Sequence, residues 1–404
     1  MTRPTSSTRP TSSTHPTSAL TVRTVDYHTA GEPFRIVAEG PTGTGTGTGT
    51  DVDPDPERPL DWAGLTAPDG STVAERSARA VGRGGSGTAP RPSPLDDLRR
   101  ALSAEPRGHA GMYGGFLVPP DPAPPVPALV PGPGRAGPAG AAPRPAHLGV
   151  VFWHGDGYST ACGHGTLALA AWVVDTGTVP APDEGRAEVR IDTPAGRVTA
   201  HVHRAAGRTT GIGYRGAPAR IGARAVPVGT SRGLLDVDLA HAGACYASLP
   251  ARHAGLTVTR PDLPALTALA AEVRAALAGH PGGWDPAGPL RSGVYGVTLY
   301  EDLPDTPLGP HQRSLTVFAD GRIDRSPCGS GTAARLALLA ADGRIGPGAD
   351  LLHESLVGTL FTGRVLGPGP EGTVLTEVTG TAHRTGEHLF HLDPADPLGP
   401  GFTL

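Results

Sequence analysis

Asp324-Arg-Ser-Pro-Cys328-Gly-Ser-Gly-Thr332 is the stretch that decides the fold, and an apolar run of alanine and leucine follows it over residues 333–341. The proline and glycines predict a tight turn, and the apolar run predicts a helix that ends at Gly343. Cys328 would then lie at the start of the helix, among backbone N–H groups that have no partner within the helix. Because these groups and the helix dipole stabilise a thiolate, we expect them to lower the pKa of Cys328.

The same pattern occurs a second time at Cys162-Gly-His-Gly-Thr166, which precedes the apolar run 167–174. Both copies read Cys-Gly-x-Gly-Thr, then an apolar helix, then Asp and Gly. The two cysteines are separated by roughly one domain length. Short strands alternate with these helices, so the sequence predicts an α/β or α+β fold in two similar halves, each presenting one thiol.

The composition narrows the class of protein. The chain has 404 residues, a net charge of −4 and three cysteines, and its pI is near 6.5. These values argue against nucleic acid or an anionic membrane as a partner, and the few cysteines argue against a disulfide framework. No apolar run has transmembrane length and the N-terminus does not resemble a signal peptide, so we expect a cytoplasmic protein. The oligomeric state stays open, with a homodimer as one expectation.

Lysine is absent from the sequence, and all 34 basic residues are arginine. This excludes a lysine Schiff base, and with it ordinary pyridoxal-phosphate chemistry, as well as a Walker-type phosphate loop. The histidines at 28, 109 and 154 do not have metal-ligand spacing. We therefore expect no metal site.

The order of segments suggests where the halves begin. We expect a disordered tail over residues 1–20 and flexible insertions near 41–59, 82–94 and 119–146, which are rich in Pro, Gly and Ala. Amphipathic or Ala/Leu-rich patterns predict helices at 95–102 and 263–278. Strands are predicted at 148–153, 188–191, 198–202, 294–300 and 314–318.

Two thiols at facing helix N-termini suggest a specific chemistry. A carboxylate bound between them could accept hydrogen bonds from the backbone amides of Gly163, His164, Gly329 and Ser330. One thiolate could then remove a Cα proton while the other thiol returns a proton to the opposite face, which inverts the centre. Asp324 and His164 are candidates to hold a substrate ammonium group and to tune the thiols.

Simpler interpretations of the same residues remain open. A cysteine at a helix start can be an inert apolar side chain, His164 can cap its helix, and Asp324 can be a turn residue. The third cysteine, Cys245, lacks the loop and helix context, and we expect it to be buried in a strand.

Several motifs together resemble the proline racemase family, in the order in which that family has them. They cover most of residues 21–404 apart from the insertions, and they are Asp26–Pro33, Glu105–His109, Met112–Gly114, Gly157–Tyr158, Cys162–Thr166, Asp324–Thr332, Glu354–Gly363, Thr385–Glu387 and Asp396–Leu398.

The resemblance implies a fold like that of diaminopimelate epimerase, with two pseudo-symmetric halves that each wrap a curved mixed sheet around a central helix, and no cofactor. It places Cys162 in a first half of residues 21–203 plus 385–404, and Cys328 in a second half of residues 204–384. It also implies that Cys162 and Cys328 are the acid/base pair, with Tyr113 and Phe318 as pocket aromatics.

The substrate and the reaction depend on few residues. Dehydratase members of the family carry Thr in place of the second cysteine, so Cys328 favours inversion of Cα over dehydration. The sequence thus predicts a racemase or epimerase acting on proline or a hydroxyproline, with proline favoured. The alternatives are a hydroxyproline 2-epimerase, a trans-3-hydroxy-L-proline dehydratase, and, from another class, a non-catalytic imino-acid binding protein or a redox switch.

Overall fold

The computed structural model describes residues 20–40, 42–43, 72–80, 94–121, 144–284, 293–318 and 321–403. The predicted tail and insertions lie almost entirely outside these ranges. Leu20 is an exception: although the tail was predicted to include it, it begins the first strand and is buried.

Strands make up most of the described chain. They are β1 (Leu20–Thr29), β2 (Glu32–Val37), β3 (Thr42–Gly43), β4 (Tyr113–Val118), β5 (Leu148–His154), β6 (Gly157–Ser159), β7 (Gly185–Thr193), β8 (Gly196–Ala205), β9 (Arg208–Arg215), β10 (Arg220–Thr230), β11 (Gly233–His241), β12 (Cys245–Pro250), β13 (Val294–Thr306), β14 (Gly309–Phe318), β15 (Asp350–Ser355), β16 (Leu360–Pro368), β17 (Val374–Gly380) and β18 (Ala382–Leu392). The α-helices are α1 (Val73–Ala80), α2 (Pro94–Ser103), α3 (Gly163–Asp175), α4 (Leu263–Ala276) and α5 (Gly329–Ala341).

The strand pairings divide the sheet into two groups with the same pattern. The first group has the order β18-β1-β2-β4-β5-β7-β8-β9, and only its pairs β2/β4 and β5/β7 are parallel. The second has the order β10-β11-β12-β13-β14-β15-β16-β17, and its parallel pairs, β12/β13 and β14/β15, occupy the same places. The prediction of two similar halves, each with a mixed sheet, is therefore confirmed.

Strands β9 and β17 join the two groups. They run antiparallel, with Tyr214 opposite Val378 and Gly213 opposite Thr379. The two curved sheets thus form one continuous ribbon of hydrogen-bonded strands. Strand β9 pairs with β8 and packs on α3, so it contacts the first half, although the family resemblance assigns residues 204–384 to the second half. The boundary between residues 203 and 204 stays a prediction.

Helices α3 and α5 are the two apolar helices that follow the cysteines. Each is 13 residues long and is buried along most of its length, with mainly alanine, leucine and valine side chains, so it is stable only when it is surrounded by other elements. Helix α3 packs on β1, β2, β8, β9 and β18, and α5 packs on β10, β11, β12, β16 and β17. Each helix is therefore enclosed by the strands of one half.

Glycines end both central helices, as the sequence predicts for Gly343. Gly177 and Gly343 adopt positive φ angles of 70° and 66° just beyond the last helical residues. One buried apolar cluster includes Leu167 and Leu169 of α3 together with Ala337 and Leu338 of α5. Because the two halves share this core, the N-terminal ends of their central helices are held at the same interface.

The other sequence predictions of helices and strands agree with the structure to within a few residues. The helices predicted at 95–102 and 263–278 are α2 and α4, and the predicted strands fall within β5, β7, β8, β13 and β14. Across the described ranges, we find no helix that is both long and apolar enough to cross a membrane. The same residues contain no group of three or more His, Cys, Asp or Glu side chains arranged to hold a metal ion.

Candidate active site

Both cysteines are the N-cap residues of the central helices. The Gly165 N–H donates to Cys162 Sγ over 3.2 Å, and the Thr166 hydroxyl donates to the Cys162 carbonyl over 2.8 Å. Cys328 has the same place before α5, where the Thr332 hydroxyl donates to its carbonyl over 2.7 Å. The hydrogen bond from the threonine hydroxyl to the cysteine carbonyl is therefore the same at both helices.

The two helix N-termini meet at glycines. A Cβ atom on Gly163 would lie 3.3 Å from the Cα of Gly329, and a Cβ on Gly329 would lie 3.3 Å from the Cα of Gly163. Side chains at these positions would push the two halves apart, since such contacts are tighter than ordinary packing allows. The unpaired N–H groups of both helices therefore surround one space.

A single small cavity lies at this meeting point. All nine residues that the sequence and the family resemblance select as site residues line it, and Ala161, Tyr246 and Tyr295 complete its wall. Its volume is about 20 Å³, which is room for roughly one water molecule. A proline ring needs more space, so substrate binding requires the side chains or the halves to move.

Cys162 is in contact with His164 and Tyr113. Its Sγ lies 3.4 Å from Nδ1 and 3.6 Å from Nε2 of His164, and the Tyr113 hydroxyl also interacts with it by a hydrogen bond. Burial, and after it the charge of Arg325, lowers the pKa of His164 to about 3. His164 is therefore neutral at physiological pH and can accept a hydrogen bond from a substrate ammonium group.

Cys328 is held by a network of polar side chains. The Ser326 N–H and hydroxyl donate to Asp324 Oδ1 over 2.9 and 2.7 Å, and the Cys328 N–H donates to the Ser326 hydroxyl over 3.1 Å. Cys328 Sγ lies 3.8 Å from the Tyr246 hydroxyl, which is 2.6 Å from the hydroxyl of Ser330.

The backbone at Cys328 differs from that at Cys162. Cys328 has φ 65° and ψ 110°, a positive φ that favours glycine, whereas Cys162 has an extended backbone with φ −149°. A non-glycine residue in such a region costs about 1–3 kcal/mol. The hydrogen bonds through Ser326 hold this turn in place.

Burial outweighs the helix amides in setting the ionisation of the thiols. The amide of Gly165 lowers the pKa of Cys162 and that of Gly331 lowers the pKa of Cys328, as we expect of a helix N-terminus. Burial nevertheless raises the pKa of each thiol well above its usual value, and the charge of Asp324 raises both further. Without substrate, both cysteines are neutral thiols, so the expectation of a lowered pKa is wrong for this state.

Asp324 itself titrates near neutrality. Burial raises the pKa of its carboxyl to about 6, although the hydrogen bonds from Ser326 act in the opposite direction. Its neighbour Glu32 is also buried, and burial together with repulsion from Asp324 raises the pKa of Glu32. The two carboxyls share one environment and titrate as a pair.

Tyr295 connects the cavity between the thiols with two larger cavities. Its hydroxyl interacts by hydrogen bonds with Tyr113 and Ser159, and its ring lies 5.4 Å from that of Phe318. It also lines a cavity of about 350 Å³ that extends past Gly163 and Ser330, and another of about 120 Å³ next to Tyr113. A movement of Tyr295 would therefore enlarge the space at the thiols.

Sequence reasoning missed Tyr246 and Tyr295. Tyr246 directly follows Cys245, which is fully buried in β12 as predicted, and alternation along the strand turns these neighbours to opposite faces. That alternation was a signal that could have drawn attention to Tyr246. Tyr295 lies near the start of β13, and no motif distinguished it. None of the three cysteines forms a disulfide.

Comparison with known proteins gives a consistent picture. The sequence model of the family described as proline racemase matches residues 140–403. A trans-3-hydroxy-L-proline dehydratase of Bacillus cereus is 32% identical over 384 residues, which are 94% of this chain and 97% of the relative. A 3-hydroxyproline 2-epimerase of Burkholderia multivorans is 34% identical over 392 residues, which are 95% of this chain and 98% of the relative.

Solved structures support the fold. A probable proline racemase from Agrobacterium radiobacter with bound carbonate superposes with a TM-score of 0.71 at 23% identity, covering 95% of this chain and 96% of that one. A hydroxyproline epimerase from Agrobacterium vitis with bound trans-4-hydroxy-L-proline gives a TM-score of 0.70 at 24% identity, covering 95% of each chain. The predicted architecture of two pseudo-symmetric halves is thus confirmed by comparison as well as by strand pairing.

Proposed function

The chain belongs to the proline racemase family, and from this premise we propose that it inverts the Cα of proline or a hydroxyproline, with Cys162 and Cys328 as base and acid. The single observation that carries the proposal is that two thiols, each the N-cap of a central helix, border one cavity. A racemisation without a second base would not need this duplication.

The helix N-termini supply the binding site for the substrate carboxylate. The amides of Gly163, His164, Gly329 and Ser330 belong to the first turns of α3 and α5, where N–H groups lack partners within the helix. Removing a proton from Cα increases the negative charge that the carboxylate bears. Preorganised amides in a site with little water stabilise that charge most strongly.

Substrate binding also explains how a buried thiol can ionise. The negative charge of Asp324 raises the pKa of both Cys162 and Cys328. A substrate ammonium group bound to Asp324 and to neutral His164 compensates that charge. One thiol can then lose its proton, remove the Cα proton from one face, and leave the other thiol to protonate the opposite face.

A hydroxylated ring is the substrate that we favour within this class. The hydroxyls of Tyr113, Tyr295 and Ser159 form one polar group beside the cavity, and a ring hydroxyl can join it. Two relatives that align over nearly the whole chain carry names that refer to 3-hydroxyproline. The sequence-based preference for proline itself therefore becomes the alternative.

Dehydration of trans-3-hydroxy-L-proline is the second candidate, because the relative from Bacillus cereus is named as that dehydratase. In this reaction Cys162 would remove the Cα proton while the Cα–H electrons form a double bond to Cβ. The 3-hydroxyl would leave as water after it takes a proton from Cys328, so a pyrroline carboxylate results. The presence of a thiol at position 328 makes inversion our first choice.

The proposal includes a cytoplasmic location, a small-molecule substrate and no nucleic acid partner, in view of the net charge of −4 and the free cysteines. A homodimer stays a prediction that sedimentation would test. A non-catalytic imino-acid binding protein or a redox switch would bind a ligand, or form a Cys162–Cys328 disulfide, without turnover in reductant.

Incubation in D₂O tests the proposal. The reduced protein is mixed separately with L-proline, trans-4-hydroxy-L-proline and trans-3-hydroxy-L-proline, and products are followed by chiral chromatography and mass spectrometry. We expect an inverted product with one deuterium at Cα. A pyrroline product would instead support the dehydratase, and absence of both exchange and product with all three compounds would overturn the proposal.

A further inference from the structure

Arg325 links the loop that carries Cys328 to two segments of the first half. Its backbone N–H donates to Glu32 Oε2 over 2.9 Å, and its guanidinium Nη1 lies 3.3 and 3.4 Å from the two oxygens of the same carboxylate. Nη1 also donates to the Gly111 carbonyl over 3.0 Å, and Nη2 donates to the Ala110 carbonyl over 3.2 Å. One side chain therefore joins three segments of the chain.

Arg325 is tightly packed against Glu32 and Gly111. The Glu32 side chain is only 3% exposed, so its carboxylate depends on Arg325 for a charged partner. A Cβ on Gly111, whose φ is 82°, would lie 2.5 Å from Arg325 Nη1. From the other side, the Thr359 hydroxyl donates to the Ala30 carbonyl over 2.7 Å. The turn before Glu32 is therefore enclosed by the second half.

The contacts of Arg325 connect two segments that each adjoin a residue of the candidate site. Arg325 directly follows Asp324, and the 110–111 segment leads into Tyr113, which contacts Cys162. We propose that Glu32 and Arg325 are positioning residues that hold Asp324 and Tyr113, which come from opposite halves, at the two sides of one substrate pocket. This inference rests on the proposed imino-acid reaction and adds two residues to it.

Arg325 also acts on the ionisation of Asp324. Its positive charge favours the ionised form of both Asp324 and Glu32. The other titratable side chains that line the cavity with Asp324 are Cys162, His164, Cys328, Tyr113, Tyr246 and Tyr295. A side chain that only supported the fold would not change the ionisation of Asp324.

Glu32→Gln and Arg325→Gln, which keep most of the side-chain volume, test the inference. The pH profile of kcat/KM for Cα exchange in the intact protein is measured for each. We expect the acidic limb to move to higher pH in Arg325→Gln by about half a unit to one unit, because the positive charge of Arg325 favours the ionised form of Asp324. KM should rise in both variants by about tenfold, because Asp324 and Tyr113 are less well aligned.

Two further variants separate positioning from charge and from general stability. Arg325→Lys keeps the positive charge but loses the forked guanidinium, so it should restore the acidic limb while KM stays raised. Arg364→Gln breaks the Arg364–Asp350 ion pair of the second half, neither residue of which lines the cavity, and should leave both the limb and KM unchanged. An unchanged KM in both Gln variants, or an acidic limb that does not move in Arg325→Gln, would overturn the inference.

Failure of the proposed function has a different signature. Absence of Cα exchange in the unmodified protein would contradict the reaction. The contact between Glu32 and Arg325 is then tested by thermal unfolding of the variants. We expect the effects of Glu32→Gln and Arg325→Gln on the unfolding midpoint to be non-additive, and those of Glu32→Gln and Arg364→Gln to be additive. Additivity of the first pair would overturn the link whatever the activity.

Discussion

Gly163 and Gly329 touch at the interface of the two halves, each placed so that a Cβ would lie 3.3 Å from the Cα of the other. The contact brings together the first residues of α3 and α5, each of which directly follows a cysteine. The distance between the two thiols thus depends on two residues that have no side chain. Catalysis by a pair of thiols needs such a fixed distance, since misplacement of reacting groups by one ångström is costly.

Gly329→Ala should therefore impair activity more than stability. The added methyl group forces the helix ends apart by a few tenths of an ångström, and we expect kcat/KM to fall by about tenfold to a hundredfold. Steady-state kinetics and thermal unfolding measure the two effects. Gly346→Ala is the matched control, because a Cβ there meets no atom within 4 Å. Equal losses of activity in the two variants would contradict the role of the contact.

Tyr246→Phe should slow the reaction while the fold is retained. The variant removes the hydroxyl that lies 2.6 Å from Ser330 Oγ and 3.8 Å from Cys328 Sγ. We expect kcat to fall by about tenfold and the free energy of unfolding to fall by about 1 kcal/mol. Tyr27→Phe loses a comparable hydrogen bond, 2.7 Å to Asp175 at the far end of α3, and should leave kcat unchanged.

The pH dependence of kcat/KM should follow the titration of Asp324, whose carboxyl neighbours that of Glu32. In the proposed reaction Asp324 is ionised when it binds the substrate ammonium group, and burial raises the pKa of Asp324 to about 6. A raised pKa means that the carboxyl is protonated below that value, so kcat/KM should fall as the pH decreases through about 6. Asp324→Asn should lower kcat/KM by about tenfold to a hundredfold and remove this limb. A limb that persists in Asp324→Asn would assign it to another group.

Tyr295→Phe tests whether the Tyr295 hydroxyl recognises a hydroxyl group on the substrate ring. The variant keeps the ring contact with Phe318 and loses the hydrogen bonds to Tyr113 and Ser159. We expect kcat/KM for trans-3-hydroxy-L-proline to fall by about fivefold to tenfold relative to that for L-proline. Parallel changes for the two substrates would argue that the hydroxyl group is not recognised at Tyr295.

The sequence was sufficient for the fold and for most of the candidate site. The repeated Cys-Gly-x-Gly-Thr pattern predicted two helix N-termini in two similar halves, because capping and apolar periodicity are local properties of the chain. The family resemblance supplied Tyr113 and Phe318, which now line the same cavity as the cysteines.

Long-range contacts explain what the sequence did not predict. Tyr246 and Tyr295 reach the thiols only because β12 and β13 pair beside α5, and no local pattern encodes that pairing. The pairing of Glu32 with Arg325 joins residues that are far apart in the chain. The raised pKa of each thiol has the same origin, since burial is a property of the assembled halves whereas the helix amides were visible in the sequence.

Serine variants of the two cysteines test the central claim most directly. A single enantiomer of the substrate is incubated in D₂O with the unmodified protein, with Cys162→Ser and with Cys328→Ser, and inversion and deuterium at Cα are followed at early times. Cys245→Ala, which changes a cysteine outside the cavity, is the control. The account predicts that each serine variant loses inversion by at least about a hundredfold while the control retains it. Inversion at the unmodified rate in either serine variant would contradict the two-thiol mechanism.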